Sequence, residues 1–122
     1  LRFGIDIDGT ISQAPRHFKG LIDALLAAGD EVYIVTAREE SRRPETEALL
    51  RHWDIHYSEL VMYPDDWPGT VPEFKVHAVR EKRLHLTIDD DPWNCWAILQ
   101  QTPALAAHML PIPEMPEEER EA

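Results

Sequence analysis

Residues 31–35 read Glu-Val-Tyr-Ile-Val, a continuous run rich in β-branched and apolar side chains. A strand of this kind offers no face to water, so it belongs inside a sheet that is covered on both sides. Helical patterns on either side of it can supply that cover. Residues 17–28 place Phe18, Leu21, Ile22, Leu25 and Leu26 at helical spacing, and Gly29 follows as a C-terminal stop. Beyond the run, Pro44 suits a first helical position, and Leu49, Leu50 and Trp53 supply an apolar face that ends near Asp54. The alternation continues with a short strand at Leu60 to Met62, a helix over 73–82, a strand at Leu84 to Ile88, a helix from Pro92 to about Gln101 and an edge strand within Ala104 to Leu110. Strands that alternate with helices predict an α/β domain of three layers around a mostly parallel sheet.

A chain of 122 residues is long enough for one such domain and too short for two. Residues 1–110 carry the pattern. From Pro111 the composition turns to Pro, Glu and Arg, which predicts a tail without a core over 111–122. Residues 63–72 hold three prolines and a glycine and read as loop. The formal net charge of −11 disfavours tight nonspecific binding to nucleic acid or to an anionic membrane, whose phosphates need Lys and Arg. It leaves room for a local basic pocket. No apolar stretch approaches the length of a membrane span. The lone Cys95 permits neither an internal disulfide nor a thiolate metal cluster, which points to a reducing, cytoplasmic setting.

The polar residues at the strand ends carry the chemistry. Residues 3–10, Phe-Gly-Ile-Asp-Ile-Asp-Gly-Thr, end an apolar run in two carboxylates one residue apart. Asp6 and Asp8 share one side of the strand if it stays regular. The second strand ends in Thr36-Ala37-Arg38, and the strand at Leu84 to Ile88 runs into Asp89, Asp90 and Asp91. In a parallel sheet these ends emerge on the edge where α/β folds bind ligands. Carboxylates from two strands make an oxygen-rich cluster suited to a hard cation, Mg²⁺ above all. Lys75, opening the helix before the later strand, can reach the same edge.

The ordered set Asp6-Ile7-Asp8-Gly9-Thr10, then Thr36, Lys75 and Asp89-Asp90, resembles the four motifs of the haloacid dehalogenase-like hydrolase superfamily. The resemblance covers roughly residues 1–110. It implies a Rossmann-like fold and Mg²⁺-dependent phosphoryl transfer. By motif match Asp6 is the nucleophile and Asp8 the general acid/base. Thr36, the neighbouring Ala37 backbone and Lys75 hold the phosphoryl group, while Asp6, Asp8, Asp89 and Asp90 form the metal site. Dehalogenating members lack the second aspartate, so Asp8 favours phosphate-ester hydrolysis. Neither Ile11 to Arg16 nor Tyr63 to Pro72 has room for a cap domain, which leaves an open site. It is covered only if the loop bearing Trp67, or a neighbouring subunit in a homo-oligomer, lies over it. The expected partner is a phosphorylated substrate, either a small molecule or a macromolecular end. The run from Thr36 to Glu40 most resembles the capless polynucleotide 3′-phosphatase branch.

Two rivals are weighed against this reading. Receiver domains also bind Mg²⁺ and phosphorylate an aspartate, but their motif order differs from the one here. A non-catalytic domain of the same fold is disfavoured because Asp6 and Asp8 are both retained. The remaining conspicuous residues carry bland expectations. The six histidines lack metal-ligand spacing. Trp93 and Trp96 are expected in the core, Trp67 packed over the sheet edge and Cys95 buried; Arg38, Arg42 and Arg43, the basic cluster near the site edge, are expected on a solvated face in preference to contacting a substrate's other anionic groups.

Overall fold

In a computed structural model, residues 1–111 are described and form a single Rossmann-like α/β domain. The predicted tail lies, from Ile112 onward, outside the described residues. The elements alternate throughout: β1 (Arg2–Ile5), α1 (Pro15–Ala27), β2 (Glu31–Glu39), α2 (Arg43–His52), β3 (Glu59–Tyr63), α3 (Val71–Lys82), β4 (Leu86–Asp89), α4 (Pro92–Gln101) and β5 (Leu105–His108). The five strands form one sheet in the order β3-β2-β1-β4-β5, and every neighbouring pair is parallel. This arrangement is consistent with a haloacid dehalogenase-like fold, and the "mostly parallel" sheet is entirely so. Among the described residues no inserted domain interrupts it. A 3₁₀ turn, Ile11–Gln13, and the loop between β3 and α3 occupy the two places where a cap would enter.

β2 shows why the sequence folds this way. Val32 and Ile34 pack into one core cluster with Ile5, Ile22, Leu50 and Leu60, whereas Tyr33 and Val35 pack into another with Phe74, Val79, Leu84 and Ile98. Successive side chains of one strand thus feed both layers, α1 and α2 on one face, α3 and α4 on the other. At roughly 25 cal/mol per Å² of apolar area, the paired cores supply most of the drive to fold. Gly4 marks a tight point of the sheet, where an added Cβ would sit 2.7 Å from Leu84 Cδ1.

The helices start and stop as local chemistry dictates. Proline occupies the first turn of all four. Thr70 caps α3 by accepting the Glu73 N–H, and Asp91 caps α4 by accepting the N–H groups of Trp93 at 2.8 Å and Asn94 at 3.2 Å. The observed boundaries differ from the sequence reading in places. α3 begins at Val71, two residues early, because Pro72 is a helical residue and not the last of the loop. β4 is displaced toward Asp89, with Leu84 packed in the core ahead of it. One expectation fails outright: Trp93 and Trp96 are exposed, not core. α4 presents Asn94, Cys95, Ala97 and Ile98 inward instead, because its inner face must fit close against α3 and β5.

Candidate functional site

The strand order reverses between β1 and β4, each of which leaves the sheet at the same edge. Open α/β sheets bind ligands at such a switch point, and the acidic residues are gathered there. Asp6 directly follows β1 and extends the ladder by donating its N–H to the Ile88 carbonyl at 3.0 Å. Asp89 ends β4, and Asp90 follows it. One carboxyl oxygen from each of Asp6, Asp89 and Asp90 lies within 4.8 Å of the others. These three residues can hold a metal ion, and an all-oxygen carboxylate donor set suits a hard divalent cation.

Lys75 closes the site from the α3 side. Its ammonium donates to Asp6 Oδ1 at 3.0 Å and to the Val35 carbonyl at 2.8 Å, and it approaches Asp89 Oδ2 at 2.9 Å. All three protons of the group are thereby engaged. Burial favours a neutral lysine, but the charges of Asp6 and Asp89 outweigh it, and the pKa ends above its ordinary value. Asp6 is governed by the opposite balance. Burial pushes its carboxyl up to about 7, against the attraction of Lys75 and with the Asp89 charge adding to the rise. Asp89 is further fixed by the Asp91 N–H at 2.9 Å and the Asn94 side-chain amide at 3.2 Å. The Asn94 carbonyl oxygen, buried beside it, has no hydrogen-bond partner among the described residues.

Asp8 goes elsewhere. The chain leaves extended geometry after Ile5, so period-two spacing no longer holds and its carboxylate stands outside the three-aspartate group. It is gripped at both oxygens by Arg38, Nε at 2.9 Å and Nη2 at 2.8 Å. Those hydrogen bonds hold Asp8 below the usual carboxylate range. The pair lines an open cleft of about 490 Å³ together with Ala37, Glu39, Arg42 and Thr46. Gly9 turns the chain back with φ +79°, and a Cβ built there would run into the Asp90 carboxyl group. Thr10, fully buried, donates its hydroxyl to Asp90 Oδ1 at 3.4 Å and so ties this turn to the end of β4.

Thr36 is fully buried at the end of β2's core-facing stretch, with its hydroxyl accepting the Arg38 N–H at 3.1 Å, while Ala37 is exposed beside it. Thus Asp6, Asp89, Asp90, Lys75 and Thr36 all emerge at one sheet edge, with Asp8 alongside rather than within the acidic group. Trp67, expected over the sheet edge, packs instead against α3, with Phe74 at 5.9 Å and His77 at 5.4 Å. The sequence reading expected Arg38 on a solvated face, whereas the strand runs on to Glu39 and carries Arg38 onto both oxygens of Asp8. It missed Asn94, which nothing but the structure reveals.

No known protein family matches this sequence, and no curated protein matches it. Solved structures do resemble it. A chain of the "Pnkp1/Rnl/Hen1 RNA repair complex" superposes with a TM-score of 0.77 at 17% identity, over 90% of this chain and 42% of its own. A second Pnkp1/Rnl/Hen1 complex gives 0.70 at 18% identity, over 91% of this chain and 47% of its own. A universal stress protein in complex with cAMP gives 0.55 at 14% identity, over 89% of this chain and 97% of its own. The chain therefore spans less than half the length of either Pnkp1/Rnl/Hen1 complex chain. At these identities the likeness is one of fold. No described helix is long and apolar enough to cross a membrane.

Proposed function

We propose that this chain is a capless, haloacid dehalogenase-like phosphatase that hydrolyses a phosphate monoester through an aspartyl-phosphate on Asp6. One observation carries the reading: a buried nucleophile candidate, Asp6, shares Lys75 with Asp89 while three carboxyl oxygens lie within 4.8 Å of one another. That donor set fits Mg²⁺, which Asp6, Asp89 and Asp90 would hold. When bound it would offset the repulsion between the carboxylates and an anionic substrate.

The residues then have distinct tasks. Asp6 attacks phosphorus, forming its acyl–phosphate bond as the bond to the leaving oxygen breaks. Asp8, ionised beside Arg38, must first leave that guanidinium and take up a proton from water, which it then gives to the leaving oxygen. Asp8, now ionised, takes a proton from water as the water attacks phosphorus and frees Asp6 and inorganic phosphate. The Thr36 hydroxyl, the Ala37 backbone N–H and the Lys75 ammonium hold the transferring group, aimed where negative charge accumulates.

A second reading concerns the substrate. One of the similar structures comes from an RNA repair complex, which favours a phosphorylated polynucleotide end. The net charge of −11 favours a small phosphorylated molecule. Turnover of p-nitrophenyl phosphate with and without Mg²⁺, beside Asp6→Asn, tests the reaction. A panel of phosphorylated metabolites and 3′-phosphorylated oligonucleotides separates the substrates. The expected outcome is Mg²⁺-dependent turnover reduced about 10³-fold or more in Asp6→Asn. Turnover indifferent to both contradicts the proposal.

A further inference from the structure

Seven large apolar side chains stand exposed among the described residues, and five of them, Trp93, Trp96, Leu99, Leu105 and Leu110, fall between positions 93 and 110. The same stretch has a second peculiarity. From Pro92 to Pro113 the sequence contains no Asp, Glu, Lys or Arg, although 29% of the whole chain is charged. The apolar surface and the uncharged stretch coincide on α4 and β5, bounded in the sequence by Asp91 before Pro92 and by Glu114 after Pro113.

Geometry sets these residues on the two flanks of one sheet edge. Trp93, Trp96 and Leu99 follow at three-residue spacing along the outward face of α4. Cys95 turns toward β5, its sulfur 3.9 Å from the Ala107 carbonyl, so Leu99, four residues on, overhangs the same strand. β5 is the last strand of the sheet, and among the described residues it pairs only with β4 and its outer edge is open. Ala106 packs in the core cluster beneath α4, and Leu105 therefore stands on the opposite face of the strand. An open edge flanked by apolar side chains is a template for pairing with another strand.

We infer that the α4–β5 side is a homodimer surface, on which a second copy of this chain docks across a two-fold axis. Antiparallel pairing of the two β5 edges makes the contact isologous, so each copy meets its own patch. Charge favours this occupant. Two molecules of net charge −11 repel over most of their surface, and this uncharged side is where they can approach closely. The area suffices as well. With Trp93 71% and Trp96 58% exposed, the two indoles and the neighbouring leucines offer about 500 Å² per copy, or roughly 1,000 Å² in a dimer, before the paired edges are counted. That reaches the range of specific interfaces. The candidate catalytic edge is built from Asp6, Asp89, Asp90 and Lys75, none of which the dimer contact uses.

The test is the mass of the full chain by size-exclusion chromatography with light scattering, from about 5 to about 100 µM. The expected species is a dimer of about 28 kDa, twice the 14.1-kDa chain. Trp96→Glu and Trp93→Glu should each raise the concentration for half-dimerisation at least ten-fold. Leu21→Glu, at an exposed apolar position on α1, should leave it unchanged. Tryptophan emission of the wild type should shift to shorter wavelength as concentration rises, a readout that needs no variant. A chain of about 14 kDa at every concentration overturns the inference, as does a dimer equally stable in Trp96→Glu.

Discussion

A lysine ammonium shut away from water persists at position 75 because two carboxylates and a carbonyl take all of its protons. Asp6 is less well compensated: burial outweighs its cationic neighbour, and its carboxyl rises to about 7. The consequence for stability has a definite sign. A carboxyl with a raised folded-state pKa stabilises the protein fully below its ordinary value of 3.8, and that contribution is lost as pH climbs through about 7. In metal-free protein Asp6→Asn should therefore unfold at a Tm roughly 5 °C above wild type at pH 8, and show no such advantage near pH 3.5. Adding Mg²⁺ at pH 8 should raise the wild-type Tm and reverse the ranking. Thermal scans of both proteins at the two pH values check this; equal Tm values at pH 8 without metal would contradict the assignment of burial as the dominant influence on Asp6. Much of this chemistry was legible from the Asp-Ile-Asp-Gly-Thr run. The position of Asp8 was not, because a strand's alternation says nothing about side-chain direction once the chain has left the strand at Ile5.

At the scale of elements, patterns of burial were readable wherever both faces of a segment had to be covered. The β2 run announced a strand buried on both sides, and its alternate residues do enter separate cores. α4 was misread because its apolar residues surround the helix, so composition could not say which of them face inward. Asn94 is buried in their place since its amide holds Asp89, a tertiary reason that no local pattern encodes. Asp91 joins these roles, ending the acidic strand terminus and capping α4 through two backbone N–H groups. Asp91→Ala should cost about 1 kcal/mol, read as a lower urea midpoint at unchanged slope. An unaltered midpoint would show that the cap does not anchor this helix.

For the whole molecule, topology does what no single residue can. A parallel sheet with β1 at its centre brings the ends of β1, β2 and β4 to one edge, and α3 delivers Lys75 beneath them. Residues 6, 36, 75 and 89, scattered along the sequence, become neighbours only through that order of strands. The proposed chemistry depends on their convergence, and so does the distinction between an enzyme and a bare fold. The covalent intermediate is its most direct witness. In Asp8→Asn, p-nitrophenyl phosphate still offers a leaving group that needs no proton, but the water that should free Asp6 lacks its base. Intact-mass and peptide-mapping spectrometry of Asp8→Asn, quenched after incubation with this substrate and Mg²⁺, should find one phosphoryl group per chain, attached to Asp6. A chain that stays unmodified, or carries the group on another residue, would contradict the account.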